Sequence, residues 1–221
     1  DVLQKLTDTS LATKDFPFMS FRRVNIGMAP VWLSRMTYTG DLGYEIWIAP
    51  EYQRYLFDLI WDAGKEFDMR LFGFRALITM RLEKNFGTWY REFRPIYTPL
   101  ESGMERAMKF DHEFIGRAAV EAEMKTGPAR KLVMFKVDVD KDKPADVLGD
   151  EPVFHNGEVV GWITSGGYAH YSGVSLALGY IPAALAAEGT TGFEIEIIGN
   201  MRPAHLQLEP VLDPSGSRMR A

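Results

Sequence analysis

The sequence predicts an α+β fold: an antiparallel sheet with helices on one face, followed by a small all-β antiparallel barrel. Three observations predict it. Two stretches rich in β-branched and aromatic residues, 31–37 and 46–49, flank a loop with two glycines, Gly40 and Gly43, which is the pattern of a β-hairpin. Behind them Tyr52, Tyr55, Leu56, Leu59, Ile60 and Ala63 recur with the 3.6-residue period of an amphipathic helix. In the C-terminal half the apolar runs are short and are broken by Asn156-Gly157 and Gly199-Asn200, as in successive hairpins of a barrel.

Taken in order, Val2, Leu3 and Leu6 have helical spacing, so residues 1–8 read as the end of a helix. A strand is expected from Phe16 to Met28, with Phe18 and Phe21 as anchors and a turn over Gly27 to Pro30. In the hairpin that follows, alternation puts Glu45 on one face with Trp47 and Ala49, and Tyr44, Ile46 and Ile48 on the other. A carboxylate beside an indole needs a partner if it is buried, and is a solvated edge-strand group if it is not. Pro50 sits where a first helical turn tolerates proline, and Gly64-Lys65 are end signals. A second helix is expected over 73–84, with Leu77, Met80 and Arg81 on one stripe. Helices after a hairpin suggest a sheet covered on one face.

Residues 85–100 form a long aromatic-rich connection without clear period; such loops are either functional or packed by their own aromatics. A short helix is expected over 115–123. Composition shifts at Lys125-Thr126-Gly127-Pro128, which divides the chain into 1–125 and 126–221. Beyond it come a strand at Lys131 to Val137, a charged loop from Asp138 to Asp146 with no function assigned, a hairpin around Asn156-Gly157, and another beginning at Phe193. In that last hairpin Glu194 and Glu196 alternate outward with isoleucines. No internal repeat or low-complexity segment is evident.

The chain has 221 residues, 46% of them hydrophobic and 25% charged, which suffices for one large domain or two small ones. Its net charge of −5 and lack of a basic block argue against a nucleic-acid partner. With no cysteine, thiolate catalysis, thiolate metal sites and disulfides are excluded; this fits a reducing compartment, and a cytoplasmic location is expected. His112, His155, His170 and His205 lack ligand spacing, so no zinc site is expected. The apolar run from Val174 to Ala187 is short of the ~20 residues that cross a bilayer, and no membrane partner is expected. Asp1 opens the chain abruptly, without a signal peptide, as expected of a cut-down chain.

Four blocks, in order, carry a family resemblance. They are Tyr38-Thr39-Gly40-Asp41-Leu42-Gly43-Tyr44-Glu45; Met80-Arg81-Leu82-Glu83-Lys84 with Thr98-Pro99-Leu100-Glu101-Ser102-Gly103; Phe114-Ile115-Gly116-Arg117; and Thr164-Ser165-Gly166-Gly167-Tyr168 with Leu176-Ala177-Leu178-Gly179-Tyr180-Ile181-Pro182. Together they span nearly the whole chain. They resemble the T-protein family, the aminomethyltransferases of glycine cleavage, whose folate-binding domain also forms the C-terminal part of dimethylglycine and sarcosine dehydrogenases. The resemblance makes residues 1–125 the later portion of the folate-binding domain and 126–221 the family's C-terminal barrel.

The resemblance implies tetrahydrofolate as cofactor and one-carbon (aminomethyl or methylene) transfer as the reaction. A reduced pterin offers a flat edge of neighbouring N–H donors, which a carboxylate matches with two parallel hydrogen bonds. The family uses the glutamate of its Gly-x-Glu there, a position held by Glu45. Tyr38 is placed to stack on the pterin, to donate its hydroxyl, or simply to pack the hairpin. Arg81 is carried over as a ligand contact. A guanidinium on an apolar helix face must be paired, by a carboxylate such as Glu45 or Asp41 or by the folate itself. Arg75 and Glu83 are expected to stabilise the helix and its surroundings.

The family's catalytic aspartate would lie upstream of Asp1, so no catalytic residue is assigned within the chain, and weak binding and poor turnover are expected of it alone. Ser165-Gly166-Gly167 lacks the Gly-Lys-Ser/Thr of a phosphate loop and is expected to be a tight barrel turn rimming the folate channel. The run from Tyr90 to Met104 and the ending at Glu209–Gly216 resemble bacterial dimethylglycine dehydrogenase-type proteins. The implied partners are folate, a one-carbon unit derived from an N-methyl amine, and a separate N-terminal domain carrying FAD. Alternatives are a dimethylsulfoniopropionate demethylase-like methyltransferase, a non-enzymatic folate-binding regulator, and a structural module without ligand.

Overall fold

The computed structural model describes residues 1–142 and 144–221, and the chain divides into two compact units, Asp1–Leu77 with Asp213–Ala221, and Ile78–Leu212. The expected loop at 138–146 thus includes one residue, Lys143, outside the described residues.

In the first unit β1 (Phe21–Ile26), β2 (Ala29–Ser34) and β3 (Glu45–Trp47) pair antiparallel in that order. The β1–β2 turn is tighter than the sequence suggests: Ile26 faces Ala29 across Gly27-Met28. Gly27 has φ +55, and a Cβ there would lie 2.5 Å from the Tyr55 hydroxyl, so the turn depends on glycine. The Met28 N–H donates to that hydroxyl over 3.1 Å.

Helix α1 (Gln53–Gly64) follows, one residue later at each end than its apolar pattern. It packs Tyr55, Leu56, Leu59 and Ile60 with Val24, Ile26, Val31 and Leu33 of the sheet. The chain's last helix, α4 (Ser217–Arg220), also belongs to this unit.

Two expectations here are corrected. Residues 1–8 are not a helix end but a single 3-10 turn, Leu3–Lys5, because three spaced apolar residues are too few to propagate an α-helix. The first strand does not begin at Phe16: Phe16 closes a turn onto the Ala12 carbonyl, and Pro17 and the left-handed Met19 (φ 69) interrupt extension before Phe21. Phe16 is buried all the same, and its hydrophobicity had mimicked a strand position.

The partition between the units falls within α2 (Phe74–Glu83). In the second unit α3 (Arg117–Thr126) ends at Gly127 (φ 79), where the composition shifts. Six strands among the described residues then close an antiparallel barrel: β4 (Arg130–Val137), β5 (Pro152–His155), β6 (Glu158–Ala169), β7 (Val174–Pro182), β8 (Phe193–Ile197) and β9 (Asn200–Gln207). Their order around it is β4-β7-β6-β5-β8-β9.

Val133, Phe135, Val153, Ile163, Ile181, Phe193 and Ile195 form the barrel core. A second cluster joins Leu82 of α2 to Met134, Ala169, Leu176 and Leu178. Strand β7 is buried on both faces, which is why its run reads as continuously apolar.

The Asn156-Gly157 hairpin forms as expected, with φ of +52 and +86. The last hairpin is shifted by one residue: Ile197 faces Asn200, so Ile198-Gly199, at φ +49 and +70, make the turn. The expected turn at Ser165-Gly166-Gly167 is also corrected. These residues lie inside β6, next to a bulge between Ile163 and Ser165. Small residues are required there by close approach rather than by a reversal of the chain: a Cβ on Gly166 would sit 2.6 Å from Val147.

Candidate functional site

The β2–β3 connection is built from residue 35 upward. Arg35 is buried at 1% exposure and donates through Nη1 to the Phe16 carbonyl over 2.7 Å. Its other terminal nitrogen donates to the Ala221 carbonyl and, over 3.2 Å, to the Thr13 hydroxyl. The Thr37 hydroxyl accepts from the Thr39 N–H over 3.2 Å, and Gly40 takes φ +94. Asp41 is held by Arg218 over 2.6 Å. The connection is therefore an ordered turn whose base is pinned by a buried cation.

Tyr38 is half-buried within this turn, and Glu45 is the first residue of β3. Glu45 is half-buried too, and among the described residues its carboxylate makes no hydrogen bond or ion pair. Strand register sets its surroundings. Phe21, Ser34 and Glu45 form one cross-strand row, and Arg23, Trp32 and Trp47 form the next on the same face. Phe21 stacks on Trp32 with centroids 5.0 Å apart. Ser34 is buried at 1% exposure, and among the described residues its hydroxyl has no partner.

Arg81 belongs to the second unit. It is 1% exposed, donates to the Phe86 carbonyl over 2.8 Å, and stands 3.4 Å from Glu92 Oε2. Of the partners the sequence left open, neither Asp41 nor Glu45 is the ion-pair partner seen; Glu92 is. Glu92 is fully buried. Its Oε2 accepts from the Thr88 N–H (2.7 Å) and hydroxyl (3.0 Å), and its Oε1 from Thr164 (2.6 Å) and Ser165 (2.5 Å). Burial pushes this carboxyl up, but Arg81 and the hydrogen bonds from Ser165, Thr164 and Thr88 outweigh it, and the net shift is downward.

The same connection is stapled to the barrel at further points, among them Tyr180 and Trp162. The Tyr180 hydroxyl donates to the Glu92 carbonyl over 2.7 Å, and burial raises its pKa to about 12. Tyr97 stacks on Tyr180 at 3.7 Å and accepts from the Trp162 indole over 3.0 Å. Residues 86–102 are thus packed by aromatics and by the buried carboxylates of Glu92 and Glu101, the latter accepting from the Thr98 N–H and pairing with Arg130. Glu83 is likewise structural: it accepts from the Tyr171 N–H and from the N–H and hydroxyl of Ser172 at the β6–β7 turn. Among the described residues no helix is long and apolar enough to cross a membrane.

An antiparallel sheet with helices, followed by a closed six-stranded antiparallel barrel, is the architecture of an aminomethyltransferase. Residues 1–112 match the family model described as the GCVT N-terminal domain, and residues 130–213 match that of the glycine cleavage T-protein C-terminal barrel domain. The chain belongs to the glycine cleavage T-protein family, a tetrahydrofolate-binding aminomethyltransferase family.

Among its relatives, mitochondrial dimethylglycine dehydrogenase of Mus musculus is 36% identical over 99% of this chain and 25% of its own length. The mitochondrial pyruvate dehydrogenase phosphatase regulatory subunit of the same organism is 31% identical over 96% of this chain and 26% of its own. The chain therefore spans about a quarter of the length of these relatives. The crystal structure of glycine cleavage system aminomethyltransferase T from Bartonella henselae superposes with a TM-score of 0.80 over 96% of this chain and 56% of that one; at 24% identity it supports the fold.

The residues present fit a reduced folate at one point in particular. The half-buried Glu45 carboxylate, which has no partner among the described residues, leaves both oxygens available to a ligand's adjacent N–H donors.

Proposed function

We propose that this chain binds tetrahydrofolate and takes part in one-carbon transfer, as the C-terminal part of a dimethylglycine or sarcosine dehydrogenase-type enzyme. The observation that carries the reading is the unpartnered, half-buried carboxylate of Glu45 at the end of the Tyr-Thr-Gly turn, in a chain of this family. Bound tetrahydrofolate supplies the amine nitrogen that takes up the one-carbon unit. Glu45 accepts two parallel hydrogen bonds from the pterin edge and so fixes its orientation. Tyr38, seven positions earlier in the same turn, contributes ring surface or its hydroxyl.

Buried against Glu92, Arg81 holds the 86–92 turn in place, and we assign it a supporting role. Oxidation of the N-methyl amine belongs to a flavin domain outside this chain, and a cytoplasmic location is part of the same proposal.

Calorimetry with folinic acid tests the reading. Glu45→Ala should weaken binding at least tenfold, since hydrogen bonds to a charged group are worth roughly 1.5–3 kcal/mol. Equal affinity of the variant and the wild type would end it. The kinship with a phosphatase regulatory subunit favours a second reading, a folate-binding regulator without transfer activity. Incubation with tetrahydrofolate and 13C-labelled dimethylglycine, in the presence of a flavin dehydrogenase domain without a folate domain of its own, separates the two: adding the chain speeds labelling of the folate above the spontaneous rate only under the first reading.

A further inference from the structure

Among the described residues Ser34 is a buried polar group without a partner, which a native fold rarely leaves unexplained. It stands directly across the β2–β3 ladder from Glu45, and residues opposed in this way project from the same face. Its neighbour on the other side is Phe21, which offers no hydrogen bond to it. An unpartnered hydroxyl therefore flanks an unpartnered carboxylate. Cross-strand Cβ atoms lie about 5 Å apart, within the swing of a glutamate side chain.

We infer that Ser34 is the positioning residue for Glu45: its O–H donates to the carboxylate when Glu45 turns to hold a ligand. The inference rests on the reading of Glu45 as the carboxylate that holds the pterin edge. A carboxylate has about four lone-pair directions. Two parallel bonds to a ligand use one on each oxygen, and a third direction remains for Ser34. The hydroxyl then locks the rotamer that presents both oxygens to the ligand, so that less freedom is lost on binding. A ligand with a guanidine-like edge of paired N–H donors is the class such a fixed carboxylate selects.

The test is a double-mutant cycle read by folinic acid calorimetry. Ser34→Ala should weaken binding roughly tenfold with an unchanged thermal melt. Ser34→Thr keeps the hydroxyl on a strand-favouring side chain and should bind within about twofold of the wild type. Ser34→Cys, close in volume with only a weak donor, should lose about as much as alanine. In the Glu45→Ala background Ser34→Ala should cost nothing more, because its effect passes through the carboxylate.

Wild-type affinity in Ser34→Ala, or an equal loss with and without Glu45, overturns the assignment while leaving Glu45's role intact. Wild-type affinity in Glu45→Ala overturns the reading of the site itself, and the assignment with it.

Discussion

Glu92 shows how much a single buried carboxylate is asked to do. It neutralises Arg81, caps the turn at Thr88, and receives the Thr164 and Ser165 hydroxyls of β6. Removing it strands a buried guanidinium, so Glu92→Ala should destabilise the protein by about 3–5 kcal/mol in urea melts. Its folded pKa is depressed, so its contribution is present above the ordinary value of 4.5 and is lost as pH falls through the lower folded value. Acid titration of stability should accordingly be steeper below pH 4.5 in the wild type than in Glu92→Gln. Tyr180 behaves in the opposite sense. Raised from 10.0 to about 12, it stabilises fully below pH 10, and that contribution disappears as pH rises through about 12. Tyr180→Phe should flatten the alkaline arm, which ultraviolet titration of tyrosinate alongside circular dichroism would show.

At the scale of elements, the strands with the least chemistry are the most constrained. Gly161 in β6 lies so close to β7 that a Cβ would fall 2.0 Å from the Tyr180 carbonyl oxygen. Because the obstacle is backbone, Gly161→Ala must push two barrel strands apart, and a loss of about 1–3 kcal/mol is expected from chemical denaturation. Leu56 tests the other unit: it is 6% exposed on the buried stripe of α1, and Leu56→Ala should cost about 2–5 kcal/mol. The α1 stripe and the Asn156-Gly157 hairpin were readable because each rests on local rules of period and turn chemistry. The Phe16 region was not, since burial of an aromatic in a turn obeys no period. Nor was the run at Ser165–Gly167, where glycines chosen for close packing look like glycines chosen for a turn.

For the whole molecule, the first unit is discontinuous in sequence. Residues 213–221 return to it, where Arg218 holds Asp41 and the Ala221 carbonyl accepts from Arg35. Truncation after Leu212 would deprive a buried cation of an acceptor, a loss on the order of 1–3 kcal/mol. The melting temperature should fall by several degrees in calorimetry. No local pattern announces this return, because a chain closing on itself is a fact of topology.

The sequence by itself determined the α+β class with its C-terminal barrel, the α1 stripe, the Asn156-Gly157 hairpin, and the Tyr-Thr-Gly turn that ends at Glu45. These depend on spacing along the chain, and spacing is written in one dimension. Only the tertiary structure decided that Arg81 pairs with Glu92 and that an unpartnered Ser34 lies across the ladder from Glu45. Those relations join residues eleven positions apart in both cases, through a turn in one and a strand register in the other. Which side chain is buried beside which is then set by desolvation and hydrogen-bond satisfaction rather than by any repeat in the sequence.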